Sequence, residues 1–118
     1  MAVNWLKYLN RIPNFVQIDS RTKYEVVWID DFADGNTLGE TRYDPPQIVL
    51  KKGLSPKNTV ITYLHEIMHC ASDSYNIELT ESQILNMEGF FYYCLKNGNL
   101  FKGANRRKDV KRKKRKSK

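Results

Sequence analysis

Val3, Leu6, Leu9 and Ile12 recur at helical spacing and stop at Pro13, a pattern that predicts a short amphipathic helix packed on the rest of the chain. The period then changes. Tyr24 to Ile29 reads Tyr-Glu-Val-Val-Trp-Ile, and this β-branched and aromatic run predicts a central strand. Asp30 to Tyr43 reads as a turn or irregular connection, because Asp34-Gly35-Asn36 and Gly39 interrupt it. A second strand is expected at Gln47 to Leu50, and the prolines at 45 and 46 suggest that it lies at a sheet edge.

Two longer helices follow. Ser55 can cap exposed N–H groups and Pro56 sacrifices no hydrogen bond in a first turn, so a helix starts there. Val60, Leu64, Ile67, Met68 and Ala71 repeat at helical intervals and predict a buried helix over 56–72. Thr80, with Gln83 three residues on, forms a capping box for the next helix. Ile84, Leu85, Phe91, Tyr92 and Leu95 supply its inward stripe, and Asn97-Gly98 ends it. The expected fold is α+β: a small, mainly antiparallel sheet packed on these two helices.

Length and charge refine the picture. A chain of 118 residues fits one core, assigned to residues 1–105. The formal charge of +7 is concentrated at one end. Residues 106–118 carry ten Lys/Arg against Asp109, a net of +9, whereas residues 1–105 carry ten basic and twelve acidic side chains, a net of −2. This tail is expected to be disordered and to offer salt-sensitive, non-specific affinity for nucleic acid, weighed equally against a solvated, solubilising role. No apolar stretch approaches the roughly 18 to 20 residues that cross a bilayer, and the N-terminus lacks a signal peptide's apolar core. A cytoplasmic protein without membrane partners is expected. Cys70 and Cys94 are too few for a disulfide framework, and Cys70 reads as packing.

The chemistry concentrates on the first long helix, which reads His65-Glu66-Ile67-Met68-His69. Histidines four residues apart stack on one helix face, where both imidazoles can reach one metal ion. Glu66, between them, is placed to take a proton from a water at that metal. These are the only two histidines in the chain, and both fall in the motif. Zn²⁺ is the expected cofactor, and a catalytic zinc site needs a third protein ligand. With no third histidine, that ligand is acidic. Glu88 ranks first, because a carboxylate among Ile84, Leu85, Phe91 and Tyr92 wants a partner. Asp73 ranks second, continuing the four-residue series at the helix end. Glu81 ranks third, since the helix dipole already explains an acid in a first turn.

His65-Glu66-Ile67-Met68-His69, followed after eighteen residues by Glu88-Gly89-Phe90, resembles the gluzincin pattern of zinc peptidases. In size the chain is similar to the minigluzincins, single-domain peptidases with little beyond the active-site helix, a glutamate helix and a small sheet. The resemblance covers residues 47 to about 95 and implies a zincin-like fold with Zn²⁺ on His65, His69 and Glu88 and with Glu66 as general base. The aminopeptidase Gly-x-Met-Glu-Asn segment is not present in the sequence. Gluzincins often use a Tyr or His as oxyanion donor, for which Tyr92 and Tyr93 are the candidates, Tyr92 first. The strand Gln47 to Leu50 is expected to pair with an extended peptide substrate. The alternative function is a nucleic-acid-associated binding protein with a structural or vestigial zinc site.

Overall fold

The computed structural model describes residues 3–97; the basic segment 106–118, Gly98 and the side chain of Leu95 lie outside the described residues. Seven elements follow in order: α1 (Trp5–Leu9), β1 (Phe15–Gln17), β2 (Lys23–Ile29), β3 (Gly39–Tyr43), β4 (Pro46–Lys51), α2 (Pro56–Ser74) and α3 (Glu81–Asn97). The class is α+β. The four strands form one sheet in the order β1-β2-β4-β3. Its outer pairs are antiparallel, but the central pair, β2 and β4, is parallel, with Val26 opposite Ile48 and Trp28 opposite Leu50. The sheet is therefore mixed rather than mainly antiparallel.

The strand expected at an edge is an interior one. Ile48, Val49 and Leu50 are at most 1% exposed, so β4 is buried on both faces, as a continuous apolar run requires. Pro46 does not mark an edge, because it is the first residue of β4, where a missing N–H is tolerated. The edge beside β4 is β3, which occupies a stretch expected to be irregular. The loop over 30–38 carries the chain past β4, and β3 then pairs back on it, Gly39 opposite Leu50 and Thr41 opposite Ile48. Asp34 shapes this loop by accepting hydrogen bonds from the backbone N–H groups of Asn36 and Thr37, each at 2.9 Å, and from the Thr37 hydroxyl at 2.5 Å.

Alternation along β2 turns Tyr24 and Val26 inward, onto Ile48 and Leu50 of β4 and Cys70 of α2. Tyr63 and Ile67 of α2 pack against this cluster, fixing the helix across the sheet. Full burial of Ile48 and Leu50 contributes about 1.5–3 kcal/mol each. α2 begins where the sequence places it: the Ser55 hydroxyl accepts from Asn58 N–H at 3.1 Å, and Pro56 occupies the first turn. It runs two residues further than expected, to Ser74. α1 is shorter than its apolar pattern suggests and packs on α2, as does α3. No helix among the described residues is long and apolar enough to cross a membrane.

Candidate metal centre

α2 and α3 meet because the six-residue connection between them is tightly folded. Ile77 N–H donates to Ser72 O at 2.9 Å, the Ser72 hydroxyl donates to Ile77 O, and Asn76 takes the left-handed conformation at φ 55°. Asn tolerates that region better than most residues. At the end of the connection the capping box is formed on both sides: Gln83 N–H donates to the Thr80 hydroxyl at 3.1 Å, and Thr80 N–H to Gln83 Oε1 at 2.8 Å. The chain thus reverses, and the first turn of α3 faces the C-terminal half of α2.

That reversal places Glu81 against both histidines. Its Oε2 lies 2.9 Å from His65 Nε2 and its Oε1 lies 3.2 Å from His69 Nε2. The two imidazole rings have centroids 5.0 Å apart, as one helical turn allows. One ligand atom from each of His65, His69 and Glu81 can be chosen so that all lie within 4.8 Å of one another. Two imidazole nitrogens and a carboxylate oxygen are a donor set suited to zinc. The three residues can therefore hold a metal ion. Exposure of the side chains rises from 17% at His65 through 30% at His69 to 61% at Glu81, so the group opens to solvent on its Glu81 side. A catalytic metal needs such an opening.

The other expected ligands lie elsewhere. Glu88 meets the opposite nitrogen of His65, its Oε1 being 3.0 Å from Nδ1. Asp73 is exposed near the end of α2 and lines a cavity of about 620 Å³ that it shares with His69, Tyr43 and Glu78. Neither belongs to the His65, His69, Glu81 group. Cys70 faces the core, where burial pushes its thiol up to about 12. It packs with Tyr24, Val26, Ile48 and Leu50 and lies outside the His65, His69, Glu81 group.

Glu66 is only 7% exposed, between α2 and the edge strand. The Thr41 hydroxyl of β3 donates to Glu66 Oε1 at 2.7 Å and lies 3.2 Å from the Glu66 carbonyl oxygen. Gly39 lets β3 come this close: a Cβ there would stand 2.5 Å from Thr62 Cγ2 and 3.3 Å from Glu66 Cγ. Glu66, His65 and Glu88 share the wall of a cavity of about 330 Å³ with Leu38 and Ile61. Cavities therefore adjoin the histidines on two sides, one at His65 and one at His69.

Tyr92 is not at this centre. Its ring stacks on Trp5 at 5.8 Å, with Lys57 Nζ 4.9 Å from the ring centroid. Tyr92 joins α1 to the helix pair, which is the packing role that aromatic residues most often fill. Tyr93 is exposed on α3. The residues that sequence reasoning passed over are on β3: Gly39, Thr41 and Tyr43. Tyr43 lines the cavity beside His69, and burial, followed by the charge of Asp73, raises its phenol above the usual range. Compared with known proteins, the chain matches no family model, no curated protein and no solved structure.

Proposed function

We propose that the protein is a zinc-dependent peptidase that hydrolyses peptide bonds at the His65, His69 and Glu81 centre, with Glu66 as general base. The observation that carries this reading is one carboxylate spanning the Nε2 atoms of two histidines at 2.9 and 3.2 Å, beside a buried glutamate from the same helix. His65, His69 and Glu81 would hold the zinc, which would supply Lewis acidity toward a carbonyl oxygen and toward water. Glu66 takes the proton from the attacking water and delivers it to the leaving amine. Thr41 holds one Glu66 oxygen and leaves the other for that exchange.

The extended-peptide role expected of Gln47 to Leu50 passes to β3. As the edge strand beside Glu66, β3 can align a substrate by main-chain pairing. The cavities beside His65 and His69 supply space for side chains on either side of the scissile bond. A reducing compartment suits Cys70 and Cys94, which are both free thiols.

The test is Glu66→Gln. The variant is expected to keep stoichiometric zinc and lose cleavage of a randomised quenched-peptide library that the parent cleaves. Full cleavage by Glu66→Gln sinks the peptidase reading. The concentration of +9 in residues 106–118 favours a second reading, in which nucleic-acid binding is the function and the metal is structural. Under that reading, removing 106–118 abolishes DNA binding and function while Glu66→Gln is silent.

A further inference from the structure

Glu88 is the residue that a gluzincin pattern would make the third ligand, but it touches the other side of the ring. Its Oε1 lies 3.0 Å from His65 Nδ1, while His65 Nε2 faces Glu81 at 2.9 Å. Glu81 and Glu88 are seven residues apart on α3, so they share a helix face about 10.5 Å apart along the axis. His65 sits between them with one nitrogen toward each. The ring nitrogens point to opposite sides of an imidazole, and a group bonded at Nδ1 is outside the ligand sphere of an ion at Nε2.

An imidazole that gives its Nε2 lone pair to a metal carries its hydrogen on Nδ1, and Glu88 Oε1, 3.0 Å from Nδ1, is placed to accept it. Resting on the metal reading above, we infer that Glu88 is a positioning residue rather than a ligand. It fixes the tautomer and tilt of His65 through Nδ1–H, and the metal set is His65, His69 and Glu81. Glu88 is suited to this because its side chain is only 21% exposed, against 61% for Glu81. It lines the cavity beside Leu38 and Ile61.

The experiment is a zinc competition titration with a chromophoric chelator on the full chain, comparing the parent with Glu88→Ala, Glu88→Gln, Glu81→Ala, Glu81→Gln and His65→Ala. Loss of an outer-shell partner weakens zinc binding about 10- to 100-fold, and that is expected of Glu88→Ala. Glu88→Gln is expected to recover most of the loss, because an amide oxygen also accepts from Nδ1–H. Both Glu81 variants are expected to fall below Glu88→Ala, since a neutral amide is a poor substitute for a carboxylate ligand. Long-range proton–nitrogen spectra of the zinc-loaded protein add a signature that general destabilisation would not produce. His65 Nδ1–H is expected to be protected from exchange in the parent and in Glu88→Gln, and to exchange freely in Glu88→Ala. Equal losses in Glu88→Ala and Glu88→Gln, with Glu81 variants near the parent, would make Glu88 the ligand and overturn the inference. Parental affinity in Glu88→Ala overturns it too. Parental affinity in His65→Ala removes the metal reading itself, and the positioning role with it.

Discussion

Gly39→Ala probes the contact that brings the edge strand to the proposed general base. The added Cβ would lie 2.5 Å from Thr62 Cγ2, more than 1 Å inside the usual carbon–carbon separation of about 3.5–4.0 Å. Thr62 is β-branched and sits within α2, where only two χ1 rotamers are open to it. The Thr62 rotamer, β3 or α2 must give way. Overpacking of this kind costs about 1–3 kcal/mol, while replacing a strand glycine with alanine returns about 0.5–1 kcal/mol of backbone entropy. A net destabilisation of about 1–2 kcal/mol is expected from these two effects. Thr62→Ser removes the obstructing methyl and keeps the hydroxyl. Urea unfolding of both single variants and the double variant then measures the coupling directly. The double variant is expected to be more stable than additivity allows by about 1 kcal/mol, as contacting residues typically show. If Gly39→Ala is as stable as the parent, or if the two changes add, β3 does not pack on α2 as described.

Thr80→Ala removes the acceptor for Gln83 N–H at the start of α3 and is expected to destabilise the fold by about 1 kcal/mol. Because Glu81 occupies the same turn, zinc affinity measured by chelator competition should fall as well; an unchanged affinity would detach Glu81 from the site. Thr41→Val takes away the hydroxyl that donates to the buried Glu66 carboxylate at 2.7 Å. A loss of about 1–3 kcal/mol in urea unfolding is expected, with Thr41→Ser close to the parent. Asp34 titrates at about 2, held down first by the Thr37 hydroxyl and then by the Thr37 and Asn36 N–H groups. Its folded pKa lies below the ordinary 3.8, so its stabilisation is complete above that value and is lost as pH falls through about 2. Carbon-detected titration of the Asp34 carboxyl checks this, and an ordinary value near 3.8 would contradict it.

The helices were legible because their signals are local. Ser55-Pro56 and the Thr80/Gln83 pair sit at the helix starts, and the cap hydrogen bonds they imply are made. The two histidines four residues apart likewise needed nothing beyond helical geometry. β2 declared itself through its apolar content, but β3 did not. Gly-Glu-Thr-Arg-Tyr carries no apolar alternation, and it becomes a strand because β4 offers it a partner. The same partner puts β4 inside the sheet, an arrangement set by the path of the 30–38 loop.

The ranking of the acidic residues ran into the same limit. Glu81 has a sufficient local reason to be acidic, and Glu88 stands among apolar neighbours, so periodicity favoured Glu88. Which carboxylate reaches the Nε2 atoms depends on how the six-residue connection reverses the chain. Tyr92 enters as an oxyanion donor only through the gluzincin resemblance, and in the fold its ring packs on Trp5.

Anomalous diffraction at the zinc edge, from crystals of the full chain grown with zinc, addresses the proposed zinc site most directly. The expected result is a single strong peak about 2.0–2.2 Å from His65 Nε2, His69 Nε2 and one Glu81 oxygen. A peak bonded to Glu88 instead of Glu81, or no peak between α2 and α3, would contradict it.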